Sequence, residues 1–151
     1  MSKRNLNARS IIHNFYKDKL KNPKINKIFL DFKKKIKSKP SKNYSVAVSG
    51  GPDSLALVFL SQLYSLKEKI SFHYFIVDHK IRAESTKEAK KIKNKLKKYN
   101  INCKILTWTK KHNHSNIQSN ARDARYNLII RENVKNKTKY ILTAHHSDDL
   151  Y

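Results

Sequence analysis

The chain carries two glycines in 151 residues, and they stand side by side at Gly50 and Gly51. Average usage would supply roughly ten, so glycine is confined to one place where the backbone needs it. The surrounding stretch, Tyr44 to Leu57, reads in order as strand, tight turn and helix start. Tyr44 to Val48 is a short apolar run with β-branched Val46 and Val48, the pattern of a strand buried on both faces of a parallel sheet. Beyond the turn, Leu55, Leu57, Val58, Phe59 and Leu63 form a helical set able to pack on that sheet. Without Cβ atoms, Gly50 and Gly51 can take positive φ and bring backbone N–H groups close to a ligand. The helix start adds unpaired N–H groups and the positive end of the helix dipole. Ser49 and Ser54 contribute hydroxyls, Pro52 suits a first helical position, and Asp53 can cap the helix or face a magnesium ion. Together these features fit a phosphate chain. A Walker loop is excluded, because G-x-x-x-x-G-K-S/T requires a lysine that the stretch does not hold.

The theme of strand followed by helix repeats along the chain. Ser71 to Val77 reads as a second strand, Ile101 to Thr107 as a third and Tyr140 to Ala144 as a fourth. Between them, Ser85-Thr86-Lys87-Glu88 has the form of a capping box opening a helix, and Ile117 to about Val134 forms another helix. Such alternation predicts an α/β fold with an open, mostly parallel, doubly wound sheet. Before it, Ile11, Ile12, Phe15 and Leu20, then Ile25, Ile28, Phe29, Phe32 and Ile36, mark two N-terminal helices broken at Asn22-Pro23 and stopped at Pro40. The expected division is a helical extension over 1–40 and a nucleotide-binding domain over 41–151. Lys33 to Lys39 forms either a solvated face or a contact for RNA phosphates.

In open α/β sheets the ligand lies at the carboxyl ends of the strands, and that is where polar residues collect. The second strand runs into Val77-Asp78-His79-Lys80-Ile81-Arg82, and the fourth into Ala144-His145-His146-Ser147-Asp148-Asp149. The helix between the third and fourth strands carries Ala121-Arg122-Asp123-Ala124-Arg125-Tyr126, with Arg122 and Arg125 three apart and so on one face. Only six arginines occur against 28 lysines, and three lie in these clusters. A guanidinium fork binds phosphate or carboxylate bidentately, which lysine cannot do.

The formal charge of +23, from 34 basic and 11 acidic residues, points to a polyanionic partner, with nucleic acid the foremost. Abundant lysine, asparagine and isoleucine throughout also raise the charge by composition alone. No apolar run is long enough to span a bilayer, and a cytoplasmic location is expected. Lone Cys103 allows neither an internal disulfide nor a cysteine metal cluster.

Ser49-Gly50-Gly51-Pro52-Asp53-Ser54 resembles the S-G-G-x-D-S signature of PP-loop ATP pyrophosphatases, which have an adenine nucleotide alpha hydrolase-like fold. Val77 to Arg82, Ala121 to Tyr126 and Ala144 to Asp149 resemble V-D-H-G-L-R, A-R-x-x-R-Y and A-H-H-x-D-D of the tRNA(Ile)-lysidine synthases. Four motifs in order make that likeness specific, with Lys80 standing where the family usually has glycine. The family continues D-D-Q-x-E-T, so the chain resembles its N-terminal part. The resemblance implies ATP and Mg2+ on the loop from Ser49 to Ser54. There the α phosphate adenylates the C2 oxygen of the wobble cytidine of isoleucine tRNA, and the amine of free L-lysine then displaces AMP. It further implies Asp53 near the metal, Asp148 or Asp149 at the metal or the lysine ammonium, and Arg122 and Arg125 at phosphate or tRNA. His79 and Arg82 complete the candidate catalytic set. The alternatives are a tRNA thiolase, which would need reactive cysteines, an amide-forming ligase, which would need an ammonia-supplying domain, and a basic RNA-binding remnant.

Overall fold

The computed structural model describes residues 3–109 and 117–144, and among these two helices are followed by alternating strands and helices. They are α1 (Lys3–Lys19), α2 (Pro23–Ser38), β1 (Asn43–Val48), α3 (Pro52–Lys67), β2 (Ser71–Asp78), α4 (Ser85–Lys97), β3 (Cys103–Thr107), α5 (Ile117–Asn136) and β4 (Ile141–Leu142). The four strands form one sheet in the order β3-β2-β1-β4. Every pairing is parallel, from Asn43 opposite Ser71 and Tyr74 opposite Cys103 to Ser45 opposite Ile141. The α/β architecture expected from the sequence is therefore present, behind two N-terminal helices.

Strand alternation divides the core. Tyr44, Val46, Val48, Tyr74, Ile76 and Cys103 face the side covered by α3 and α4, where Phe29, Phe32 and Ile36 of α2 and Tyr16 of α1 join the same cluster. Phe75 and Leu106 face the other way and meet Ile129 of α5, with Ala47, Val77 and Ile141 packed around them. Both faces of β1 and β2 are thus out of water, which explains why these strands read as apolar runs rather than as alternating ones. At the break read from the sequence, Asn22 caps α2 by accepting the amides of Lys24 (3.0 Å) and Ile25 (3.3 Å), and Pro23 occupies the first turn.

Two boundaries are shorter than the sequence suggests. β3 starts at Cys103, because the Ile101 amide returns to the Leu96 carbonyl (3.1 Å) and Asn100 takes φ +61° to close α4. In β4 only Ile141 and Leu142 pair with β1.

Candidate active site

The strand order reverses direction between β1 and β4, since β2 and β3 lie on one side of β1 and β4 on the other. A crevice opens at such a switch point outside the carboxyl ends of the strands, and β1 delivers the glycine pair to it. Gly50 takes φ +82°, a conformation that favours glycine. Gly51 is extended (φ −69°, ψ 163°) and stands at the N-cap of α3, with no side-chain cap and Pro52 in the first turn. Ser54, almost fully buried, locks the loop by accepting the Ser49 amide on its Oγ at 2.8 Å. Gly51 brings no side chain to cap α3, and the positive helix end faces the loop. Asp53 is exposed in the first turn of α3, whose N-cap position is Gly51.

The second wall is the loop from β2 to α4, organised by Asp78. This carboxylate is 2 % exposed, and it accepts the Thr86 hydroxyl at 2.7 Å and the Lys80 amide at 3.0 Å, with Lys80 Nζ at 3.5 Å. Burial alone would raise its pKa, but the bonds from Thr86 and Lys80 and the Lys80 charge hold the carboxyl below the ordinary range. Lys80 sits at φ +53°, in the left-handed region that favours glycine. The turn is thus kept with a lysine in it, and that lysine also donates to Thr86 Oγ1 at 2.7 Å.

The expected capping box does not form. Glu84 is the N-cap of α4 without a side-chain bond, Ser85 Oγ donates to the Arg82 carbonyl (2.7 Å), and Thr86 is taken by Asp78. Glu88 pairs with the Arg82 guanidinium at 3.1 Å instead of turning back on its own helix. Tertiary partners outcompete the local cap, and the exchange fixes Arg82 at the rim. His79 meets Trp108 edge to face at 6.3 Å, which ties this loop to the end of β3.

Between the two walls lies a cavity of about 240 Å3 lined by Ser49, His79, Arg82, Ser85, Glu88 and Arg125 among others. A recess of about 40 Å3 adjoins it at the switch point, lined by Ser49, Ser54 and Arg125 together with Thr143 and Ala144 beyond β4. The structure thus brings Ser49, Ser54, His79, Arg82 and Arg125 together, with Gly50, Gly51 and Pro52 forming the turn between them. Arg122 lines neither space; Arg125 is the arginine of α5 that reaches the crevice. Asp148 and Asp149 lie outside the described residues. Asp78 and Thr86 fall in stretches that the sequence marks, the polar end of the second strand and the capping box, and Thr143 at the end of the fourth strand; what the sequence does not show is the bond between Asp78 and Thr86. A larger groove of about 600 Å3, between α2, α3 and β4, is lined mainly by residues such as Ile28, Phe32 and Leu57 and holds none of the expected catalytic residues.

The loop suits a phosphate chain on an observation independent of its sequence. A Cβ added to Gly51 would meet Ser49 Oγ at 3.8 Å as its nearest neighbour, so open space adjoins the helix start. No cluster of three or more histidine, cysteine or acidic residues is present among the described residues. A magnesium ion bound with nucleotide phosphates needs only one or two carboxylates, and Asp53 fits that requirement.

The profile of the PP-loop domain, ATP_bind_3, matches residues 22–151. The chain belongs to the PP-loop family. The tRNA(Ile)-lysidine synthase of Rickettsia typhi is 38% identical over 108 residues, 70% of this chain and 24% of that protein. Those of Rickettsia rickettsii and Rickettsia bellii are 37% and 36% identical over 105 residues, 70% of this chain and 22% and 24% of theirs. The PP-loop chain thus spans about a quarter of the length of these curated relatives. Among solved structures, the U34-tRNA thiolase NcsA of Methanococcus maripaludis superposes with a TM-score of 0.62 at 20% identity, over 72% of this chain and 40% of that one. That likeness shows the fold. No described helix is long and apolar enough to cross a membrane.

Proposed function

We propose that this PP-loop domain binds ATP with Mg2+ and serves in lysidine formation on the wobble cytidine of isoleucine tRNA. The observation that carries the reading is the Ser49–Ser54 loop at the switch point, with Arg82 and Arg125 on the same cavity. The amides of the loop and the α3 N-terminus would hold the phosphates, and Asp53 would be a carboxylate for the metal. Magnesium supplies charge neutralisation for the departing pyrophosphate. The cytidine C2 oxygen forms a bond to the α phosphorus as the bond to the β phosphate oxygen breaks. The lysine amine then attacks C2, the C2–O bond breaks with AMP leaving, and the amine gives up a proton. Arg125, between recess and cavity, is placed to meet the phosphate charge; His79 and Arg82 border the space left for the base. The family resemblance assigns Asp148 or Asp149, outside the described residues, to the metal or the lysine ammonium, and Arg122 to phosphate or tRNA.

Of the alternatives, thiolation is disfavoured by Cys103. Its thiol is buried in β3, and burial pushes it up to about 12, away from a reactive thiolate. The test is ATP-dependent incorporation of radiolabelled lysine into an isoleucine tRNA with a CAU anticodon. The reading predicts one AMP per lysine incorporated. RNA binding without ATP binding or lysine transfer would instead favour the basic remnant.

A further inference from the structure

We propose that the outer face of α4 is the track that holds the RNA phosphate backbone, an inference that rests on the RNA substrate proposed above. Ala89 and Leu96 of α4 are buried, with Ile92 partly so, and the opposite side carries exposed Lys87, Lys90, Lys91, Lys95, Lys97 and Lys98. Ion pairs among the described residues engage Lys21, Lys33, Lys80, Arg82, Lys104 and Lys135, and none uses a lysine of α4. The one carboxylate of the helix, Glu88, is turned to Arg82.

Lys95 and Lys97 in the last turn suit the helix dipole, but the lysines repel one another. Lys87 with Lys91 and Lys91 with Lys95 are like charges four apart, and Lys87 with Lys90 and Lys95 with Lys98 three apart, each pair costing about 0.2–0.5 kcal/mol. Lys87 also lies in the first turn, where the dipole opposes cations. A bound polyanion removes both penalties.

Position identifies the polyanion. Ser85, Glu88, Ala89 and Ile92 line the candidate cavity, so α4 starts at the site and its 13 residues lead away from it, over about 20 Å at 1.5 Å per residue. A strand with one base in the cavity therefore passes its flanking phosphates along the lysines. Lysines are flexible point charges, suited to holding backbone rather than reading bases. The lysines of α2 are as numerous in sequence, but that helix does not line the cavity.

The test compares two quadruple variants of the full chain. One carries Lys87→Gln, Lys90→Gln, Lys91→Gln and Lys98→Gln; the other carries the same change at Lys24, Lys27, Lys34 and Lys37. Fluorescence anisotropy with a labelled anticodon stem-loop RNA is read across a salt series, with ATP titrated separately by calorimetry. Each lost phosphate contact should lessen the slope of log K against log salt by about 0.7–0.9. The α4 variant, losing four such contacts, is expected to lessen the slope by about 3, the α2 variant by less than about 1, and both to bind ATP as the parent does. Single replacements on α4 should each remove about one unit, so a misfolded quadruple variant does not decide the matter. Equal losses in the two variants, no loss from α4, or a parent that binds anionic vesicles but not the RNA would overturn the proposal. Failure of the parent to bind ATP would count against the proposed function, not against this surface.

Discussion

Gly50 and Gly51 are adjacent but are glycines for different physical reasons, and replacing each by alanine separates them. At Gly50 the reason lies within the protein. Its φ of +82° places an L-residue in the left-handed region, at about 1–2 kcal/mol. An added Cβ would also lie 2.4 Å from Ile92 Cδ1 and 3.1 Å from its Cγ1. The Cδ1 methyl is the end of a flexible side chain and can swing aside, so the packing cost stays near the low end, about 1 kcal/mol. Gly50→Ala is therefore expected to lose about 2–3 kcal/mol, and to melt roughly 5–10 °C lower in a domain of this size. At Gly51 the backbone is ordinary extended chain, and the nearest neighbour of a new methyl is Ser49 Oγ at 3.8 Å. Gly51→Ala should melt within about 2 °C of the parent, yet lose ATP affinity at least about tenfold, or 1.4 kcal/mol, because the methyl enters the phosphate space. Thermal melts by circular dichroism and calorimetric titration with ATP and Mg2+ read the two effects. A folded Gly51→Ala protein that binds ATP like the parent would refute the phosphate cradle, and a Gly50→Ala protein as stable as the parent would refute the strain argument.

Acid should expose the two buried carboxylates. Asp78 is held low against the burial that would raise it, and Glu132 is held low by its bond from Lys104, at 2.9 Å, and by Lys135. With folded values below unfolded ones of about 3.9 and 4.3, their contribution is complete above the unfolded values and lost as pH falls below them through the lower folded ones. Asp78→Asn should cost about 1.5–3 kcal/mol at pH 7, and paired with Glu132→Gln it should flatten the fall in melting temperature below about pH 4; an unchanged acid slope would contradict this. Cys103 should resist iodoacetamide in the native protein and react in urea, since burial pushes its thiol up to about 12; fast native labelling at pH 8 would contradict the buried placement.

Much of the fold was legible because β1 and β2 are apolar on both faces, which a parallel sheet covered on two sides requires and a solvated strand does not. The place of the site was legible for a related reason, since a chain that uses glycine twice in succession marks the one turn where a side chain does not fit. Which glycine needs positive φ was not readable, because Gly50 is constrained by Ile92 of α4, 42 residues away in the chain. The same limit hid the fate of Ser85-Thr86-Lys87-Glu88. Its local pattern is that of a cap, but Asp78 and Arg82 offer Thr86 and Glu88 stronger partners across the loop. Arg122 and Arg125 share a helix face by spacing, and only the seating of α5 on the sheet decides that Arg125 lines the crevice.

The most direct measurement of the central claim is an amide proton–nitrogen correlation spectrum of isotope-labelled protein titrated with ATP and Mg2+. Binding at the switch point predicts the largest shifts at the amides of Gly50, Gly51, Asp53 and Ser54, with smaller ones at His79 and Thr143, and none in α1. Saturable shifts centred on the apolar groove between α2 and β4, or a loop unmoved at saturating nucleotide, would contradict it.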